Sequence, residues 1–383
     1  MNRPGRGAGN RLLGFLLPAT ALLCACSTAG QRSLPADARA VLQAQLSHGI
    51  GESPFDSPLV HDSVPAELIV RARPCAPIAV LRQLARDTAH AGRLLEELRA
   101  GGLLVFREDR ACTTFPVLVG AEQAAYAQVT REVARNIHAT LSSDLVALMR
   151  TVEERGWKEW QYHFLWSQLF DSQFAWTEMT QRSLVPPLAQ LIAWVIYPAH
   201  PYRSGTNYYP DSELRDHWLL VSWRGNAANT VGLVGEIWEI LHGAGVEGRA
   251  LSGAQRERLA QLDLIDDRGQ LRLPILRDGD PLVELLRALA VRHVGLLEYQ
   301  LPVDSLMVLT RADRRTTFAM AYHDVSWGIA EELVRSGRIE MPAALRPGDH
   351  SPTPSMRGVA AVVPTYPPFV ELIRRAIERS AER

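Results

Sequence analysis

Asp109-Arg110-Ala111-Cys112-Thr113-Thr114-Phe115-Pro116-Val117-Leu118 and Asp267-Arg268-Gly269-Gln270-Leu271-Arg272-Leu273-Pro274-Ile275-Leu276 are two versions of one ten-residue pattern, 158 residues apart. Each opens with an acid and an arginine at a turn and ends with an apolar residue, a proline and two aliphatics. Farther on, Asp144 and Tyr162-His163 match Asp304 and Tyr322-His323 at an offset of 160. A third signature, a short β-like run followed by a helix, comes three times. It is read at Leu68–Val70 then Pro77–Leu84, at Leu219–Trp223 then Val231–Leu241, and at Val359–Val363 then Pro368–Ile377. Because the order of elements agrees as well as the residues, the pattern is read as an internal duplication.

Within each copy a strand leads to a helix, Ile78–Arg86 or Gly232–His242, and a second helix follows, Ala91–Ala100 or Gly253–Gln261. A hairpin is then expected: Leu103–Phe106 with Thr113–Val119, and Leu264–Ile265 with Gln270–Leu276. Its turns, Glu108-Asp109-Arg110 and Asp266-Asp267-Arg268-Gly269, hold acidic and glycine residues that turns favour. This succession from Leu251-Ser252-Gly253 through Leu276 resembles the winged-helix family, and the first copy resembles it less closely. The expected fold is therefore α+β and predominantly α, a tandem winged-helix-like unit of helix, helix and β-hairpin with further helices after each copy. Tyr126, Val129, Val133, Ile137, Leu141 and Leu145 make one apolar helix face, and Leu282, Leu285, Leu286 and Leu289 begin its counterpart. Ser142-Ser143 and Pro302 are read as stops, with Asp144 and Asp304 capping the helices that follow. The boundaries expected are repeat 1 at 66–216, repeat 2 at 217–357 and a strand–helix cap at 358–383.

The chain begins with Arg3, Arg6 and Arg11, an apolar run from Leu12 to Leu23, and then small residues. About 12 apolar residues suit a secretory signal, whereas a spanning helix needs roughly 20. Leu23-Cys24-Ala25-Cys26 resembles the lipobox of bacterial lipoproteins, with Cys24 where Ala or Ser is usual. The resemblance implies a signal peptide at 1–25, removed before a lipidated Cys26. Acyl chains at about 0.8 kcal/mol per buried methylene hold a protein on a membrane. Ser27, with no acid after the cysteine, implies the outer membrane by the same resemblance. Residues 26–65, with Gly49, Gly51, Pro54 and Pro58, read as a tether carrying one short helix from Pro35 to Ser47.

Past residue 25, 358 of the 383 residues remain, with 38 Lys plus Arg against 42 Asp plus Glu, a net charge of −4. That balance opposes nucleic-acid binding, which rests on neutralising phosphates. Lys158 is the only lysine, so a P-loop is excluded. Once Cys24 leaves and Cys26 is acylated, Cys75 and Cys112 remain. In an oxidising compartment they read as a disulfide worth about 3–4 kcal/mol through the loop it closes; the alternative is two buried free thiols. Bonded, they would staple the strand-to-helix turn to the first wing.

His163 and His323 are the most tempting catalytic candidates, each after a tyrosine and eight residues before an acid, Asp171 or Glu331. Eight residues span about 12 Å of helix, too far for direct contact, and duplicated positions suit packing equally. His217 joins them as a third candidate. Gly243-Ala244-Gly245-Val246-Glu247-Gly248 spells G-x-G-x-x-G but follows a helix rather than a strand, so it reads as a helix stop. The stretch from Trp194 to Trp223 is rich in aromatics, and Tyr202, Tyr208, Tyr209, Trp218 and Trp223 are read as a partner-binding loop. The stretch from Pro347 to Met356 corresponds to it. No cofactor and no metal site are expected.

These readings favour a lipid-anchored envelope protein facing the periplasm, binding or scaffolding another envelope component, protein or glycan. A periplasmic hydrolase, metal-dependent or not, using His163, His217 and His323 is the second reading. A cytoplasmic winged-helix DNA-binding regulator is the third, if the leader is spurious.

Overall fold

The computed structural model describes residues 45–48, 63–83, 87–188, 192–198, 200–209, 217–224, 237–262, 264–342, 345 and 359–381. The signal peptide, Cys26, most of the tether and the Pro347–Met356 stretch lie outside the described residues. The body is predominantly helical with three small sheets, an α+β fold.

Helix α1 (Ser63–Ala72) opens the described body. The Leu68–Val70 run read as a strand lies inside it. Leu68, Ile69 and Ala72 are buried at helical spacing, and Glu67 pairs with Arg71 one turn on. Burial on one helix face overrides the β preference of a short apolar run. Strand β2 (Cys75–Pro77) leads into α2 (Ile78–Arg82), and α3 (Thr88–Ala100) is capped by the Asp87 side chain on the Ala89 amide. Strands β3 (Leu104–Arg107) and β4 (Arg110–Thr113) form a tight hairpin, with Arg107 opposite Arg110 and Glu108 at positive φ in the turn. The sheet order is β2-β4-β3, and Leu68, Leu81, Leu95, Leu98 and Leu104 fill the small core beneath it. Cys75 sits directly opposite Cys112 across β2 and β4, and the two are disulfide-bonded.

The hairpin's second strand therefore ends at Thr113, not Val119. Strand β5 (Val117–Val119) turns away after Pro116 and runs parallel to β6 (Ile192–Tyr197). Strand β1 (Gln45–His48) pairs antiparallel with the other side of β6, so Gln45–Ser47, expected at the end of a helix, is extended. The third sheet joins β7 (Ser204–Tyr209), β8 (His217–Arg224) and β9 (Val359–Pro364), all antiparallel. The segment after Pro274 lies parallel to β9 through an Ile275–Val362 bridge. The Val362 amide donates to the Pro274 carbonyl at 3.0 Å, as the Val195 amide donates to Pro116 at 2.9 Å. The second expected hairpin is reduced to an Ile265–Leu271 bridge, closed by Asp266 accepting from the Arg268 and Gln270 amides.

Helix α4 (Ala121–Glu154) runs straight through Ser142-Ser143, where a stop was expected. Ser142 accepts from Arg338, and Asp144 pairs with Arg292 instead of capping a helix. A polar pair on an exposed helix face solvates itself and need not break the helix. A π-helix (Phe164–Phe170) and α5 (Gln173–Gln181) follow. After the helical residues 237–241 come a second π-helix (His242–Val246), α6 (Gly253–Gln261), with a capping box at Ser252, and α7 (Pro281–Gln300). Helix α8 (Val303–Thr310) then leads to α9 (Arg314–Arg335), and α10 (Pro367–Ala381) closes the described chain. Asp304 does lie in the first turn of α8, but it makes no cap hydrogen bond and pairs with Arg314.

The main core forms where α4, α5, α7, α9 and the first π-helix meet, around Trp166, Trp176, Trp327, Tyr162 and Phe170. Arg155 donates two hydrogen bonds of 2.7 Å to Asp280, tying the end of α4 to the start of α7. Among the described residues, no helix is long and apolar enough to cross a membrane.

The Cys75–Cys112 bond closes a loop with a sequence separation of 37. Replacing both cysteines by serine should lower the stability of this first unit by about 3–4 kcal/mol in the chain-entropy model. Denaturant unfolding followed on matched samples would read this as a lower midpoint. An unchanged midpoint would show that the bond contributes nothing.

Candidate functional site

The histidines singled out in the sequence divide between two places: His163 lies at the first π-helix under the β7-β8-β9 sheet, and His323 on α9 faces Trp194 of β6. A π-helix shifts its side chains by inserting one residue, which re-aims them against neighbours. Here the Asp171 amide donates to the Trp166 carbonyl at 2.7 Å, ending the π-helix, and Ser172 caps α5 through the Ala175 amide.

His163 is fully buried on the turn entering this π-helix. Its Nδ1 lies 2.6 Å from the Ser222 hydroxyl on β8, and its Nε2 lies 3.2 Å from the Gln168 amide nitrogen. With the amide donating to Nε2, Nδ1 carries the hydrogen and donates to Ser222. The chain continues from Ser222 to Ser167 at 2.5 Å, and Thr206 on β7 donates to Ser167 at 2.8 Å. A serine nucleophile needs the histidine nitrogen facing it to accept a proton. This arrangement is the reverse, and Ser167, Ser222 and His163 are each 0 % exposed. The set is a buried polar seam holding β7 and β8 to the π-helix.

Its counterpart, His323 on α9, is also buried, with Nδ1 donating to the Ala319 carbonyl at 2.7 Å. Trp176, Trp194, Tyr322 and Trp327 surround its ring at centroid distances between 5.3 and 5.9 Å. Burial lowers its pKa, outweighing the nearby negative charge of Asp171, so the ring stays neutral. Neither histidine meets the acid eight residues after it. Asp171, eight residues after His163, acts on His323; Glu331, eight after His323, lies against His200 and Arg335. Asp171 accepts from the Trp176 indole at 2.8 Å, its carbonyl accepts from the Tyr208 hydroxyl, and Tyr322 donates to the neighbouring Phe170 carbonyl. Tyr208 and Tyr322 are both pushed well above the usual phenol range, first by burial and then by Asp171.

The aromatic stretch read as a partner-binding loop is for the most part sheet and core. Trp218 is 1 % exposed and packs on Tyr208 and Phe369, so it fills the core instead of docking a partner. Tyr208 is anchored to Asp171, and the backbone of Trp223 lies in β8 opposite Gly205. Tyr202 and Tyr209 are half-buried and remain at the edge of the body. His217 is buried with its ring 6.4 Å from that of His242, which in turn faces Glu247. Arg203, which the sequence reading did not single out, is buried, and desolvation lowers its pKa to about 10.

The glycines of Gly243–Gly248 belong to the second π-helix and its exit, as a helix stop. A Cβ on Gly245 would collide with the Ile275 side chain, so close packing explains that glycine. Among the described residues, no group of three or more His, Cys, Asp or Glu is arranged to hold a metal. Compared with protein-family models, with curated proteins and with solved structures, the chain matches none.

Ser222→Ala should leave His163 and Ser167 short of a partner in a dry interior and cost about 1–3 kcal/mol. Trp218→Ala should cost about 3–5 kcal/mol, and Tyr209→Ala much less. Thermal unfolding of the three variants checks the order; a Trp218→Ala protein as stable as the parent would return Trp218 to the surface.

Proposed function

We propose that this chain is a membrane-anchored envelope lipoprotein whose body binds or scaffolds another envelope component, protein or glycan. The observation that carries the reading is the leader: Arg3, Arg6 and Arg11, a short apolar run, and Leu23-Cys24-Ala25-Cys26. The Cys75–Cys112 bond suits the oxidising compartment that such a leader addresses. The candidate histidines support a binding role over hydrolysis. His163, His217 and His323 are each no more than 8 % exposed, which closes them to a substrate as the body stands.

The finer architecture is proposed on similar grounds. The order α1-β2-α2-α3-β3-β4 with sheet order β2-β4-β3 supports a winged-helix-like first unit. The matched hydrogen bonds at Pro116 and Pro274 support a tandem duplication, with β1-β6-β5 corresponding to β8-β9 and the Ile275 segment. In that scheme the third helix of the first unit, α3, presents His90, Arg93, Glu96, Glu97 and Arg99 outward. Such mixed charge favours a protein or glycan partner over a phosphate backbone. Tyr202 and Tyr209, at the edge of the body, are the aromatic positions best suited to contact a partner.

Metabolic palmitate labelling of the wild type and of Cys26→Ala, followed by membrane fractionation, tests the anchor. Label and membrane association should both disappear in the variant. An unlabelled wild-type protein in the cytoplasm would sink this reading and favour a winged-helix regulator.

A further inference from the structure

The longest helix, α4, and the long helix α9 pack along each other in close approach, with a Cβ on Gly328 coming within 2.9 Å of Ala134. Two buried polar groups lie in this seam, close enough for each to act on the other's ionisation. The Tyr126 hydroxyl on α4 and Oδ2 of Asp324 on α9 have no hydrogen-bond partner of good geometry. Tyr126 is 1 % exposed and Asp324 is 7 % exposed. A buried carboxylate is costly unless a cation or several donors meet it. Arg73 and Arg311, from outside α4, are both engaged by Glu122, one turn before Tyr126.

We propose that Tyr126 and Asp324 form a pH-responsive latch: with Asp324 protonated the α4–α9 seam stays closed, and ionisation of Asp324 loosens it.

The other groups around the seam do not take this role. On α4, His138 lies about three turns beyond Tyr126, beside Arg338 and Glu332, and burial lowers its pKa. From α7, buried His293 meets Ser326 of α9 and is pushed down to about 3, so in the folded protein it stays neutral through the range of interest. On α9, His323 faces the opposite side, toward Trp194 and Asp171 of the π-helix end. Asp304 of α8 is exposed and paired with Arg314, and Glu331 is held by Arg335 and His200. For Asp324 itself, burial raises the pKa from 3.8 to about 7, against a smaller opposing effect of Tyr126. The sign follows. The protonated seam keeps its full stability below the unfolded carboxyl's range, loses it as the pH climbs, and has lost it once the pH passes about 7.

The test is native-state hydrogen exchange on the full chain, read at amides of α4 and α9 between pH 5 and 8, for wild type and Asp324→Asn. Because both proteins share every other titrating group, their ratio isolates Asp324. Between those pH values the wild-type opening constant should rise relative to the variant by on the order of tenfold or more. A ratio independent of pH would overturn the latch. Carbon NMR of the Asp324 carboxyl in the wild type gives a second reading that needs no variant. A midpoint close to neutrality supports the proposal, and one near that of a free aspartate rejects it.

Discussion

Asp171 is the point on which the packing of this molecule turns. It is 4 % exposed, it ends the π-helix, and it offers oxygens to groups from two elements. The Trp176 indole reaches it from α5 and the Tyr208 hydroxyl from β7, while its charge opposes ionisation of Tyr208 and Tyr322. A carboxylate placed this deep demands donors, and the Trp176 indole supplies one. Two tyrosines bind the backbone at the same corner instead: Tyr208 donates to the Asp171 carbonyl, and Tyr322 of α9 donates to the neighbouring Phe170 carbonyl.

The two histidine segments meet different sheets. His163 faces Ser222 on the third sheet, whereas His323 faces Trp194 on the sheet of β1, β5 and β6. Each segment thus packs on a strand remote from it in sequence. The polar seam at Ser222 and the aromatic box around His323 fill matching roles with different chemistry. A hydroxyl and a side-chain amide meet one imidazole, and a helix carbonyl with aromatic rings meets the other.

Much of the local structure was legible because it depends on neighbours in sequence. Helix α6 begins at the Ser252 capping box and ends as read at Gln261, and Tyr126, Val133, Ile137, Leu141 and Leu145 do form one buried face. The pairing of Cys75 with Cys112 was legible from the count of cysteines. What sequence periodicity could not show was set by distant contacts. Leu68–Val70 has strand composition but is held as helix by what packs on it. Trp218 and Tyr208 looked like recognition residues because aromatic richness does not distinguish a docking loop from a core strand. Spacing along one helix excluded direct contact of His163 with Asp171 and of His323 with Glu331, but it could not show that Asp171 meets His323 from another element. The Gln168 amide beside His163, which decides its tautomer, carries no sequence signal of its own.

Strand β1 has a mechanical consequence. If the chain is held to lipid at Cys26, the first segment seated in the body is Gln45–His48, clasped antiparallel to β6. Fewer than twenty residues separate the two points, and an extended chain covers at most ~3.3–3.6 Å per residue. The body then hovers within roughly 70 Å of the bilayer, a leash too short for free roaming. Any pull along that leash arrives first at the edge of the β1-β6-β5 sheet. That edge bears the load before the helical core feels it.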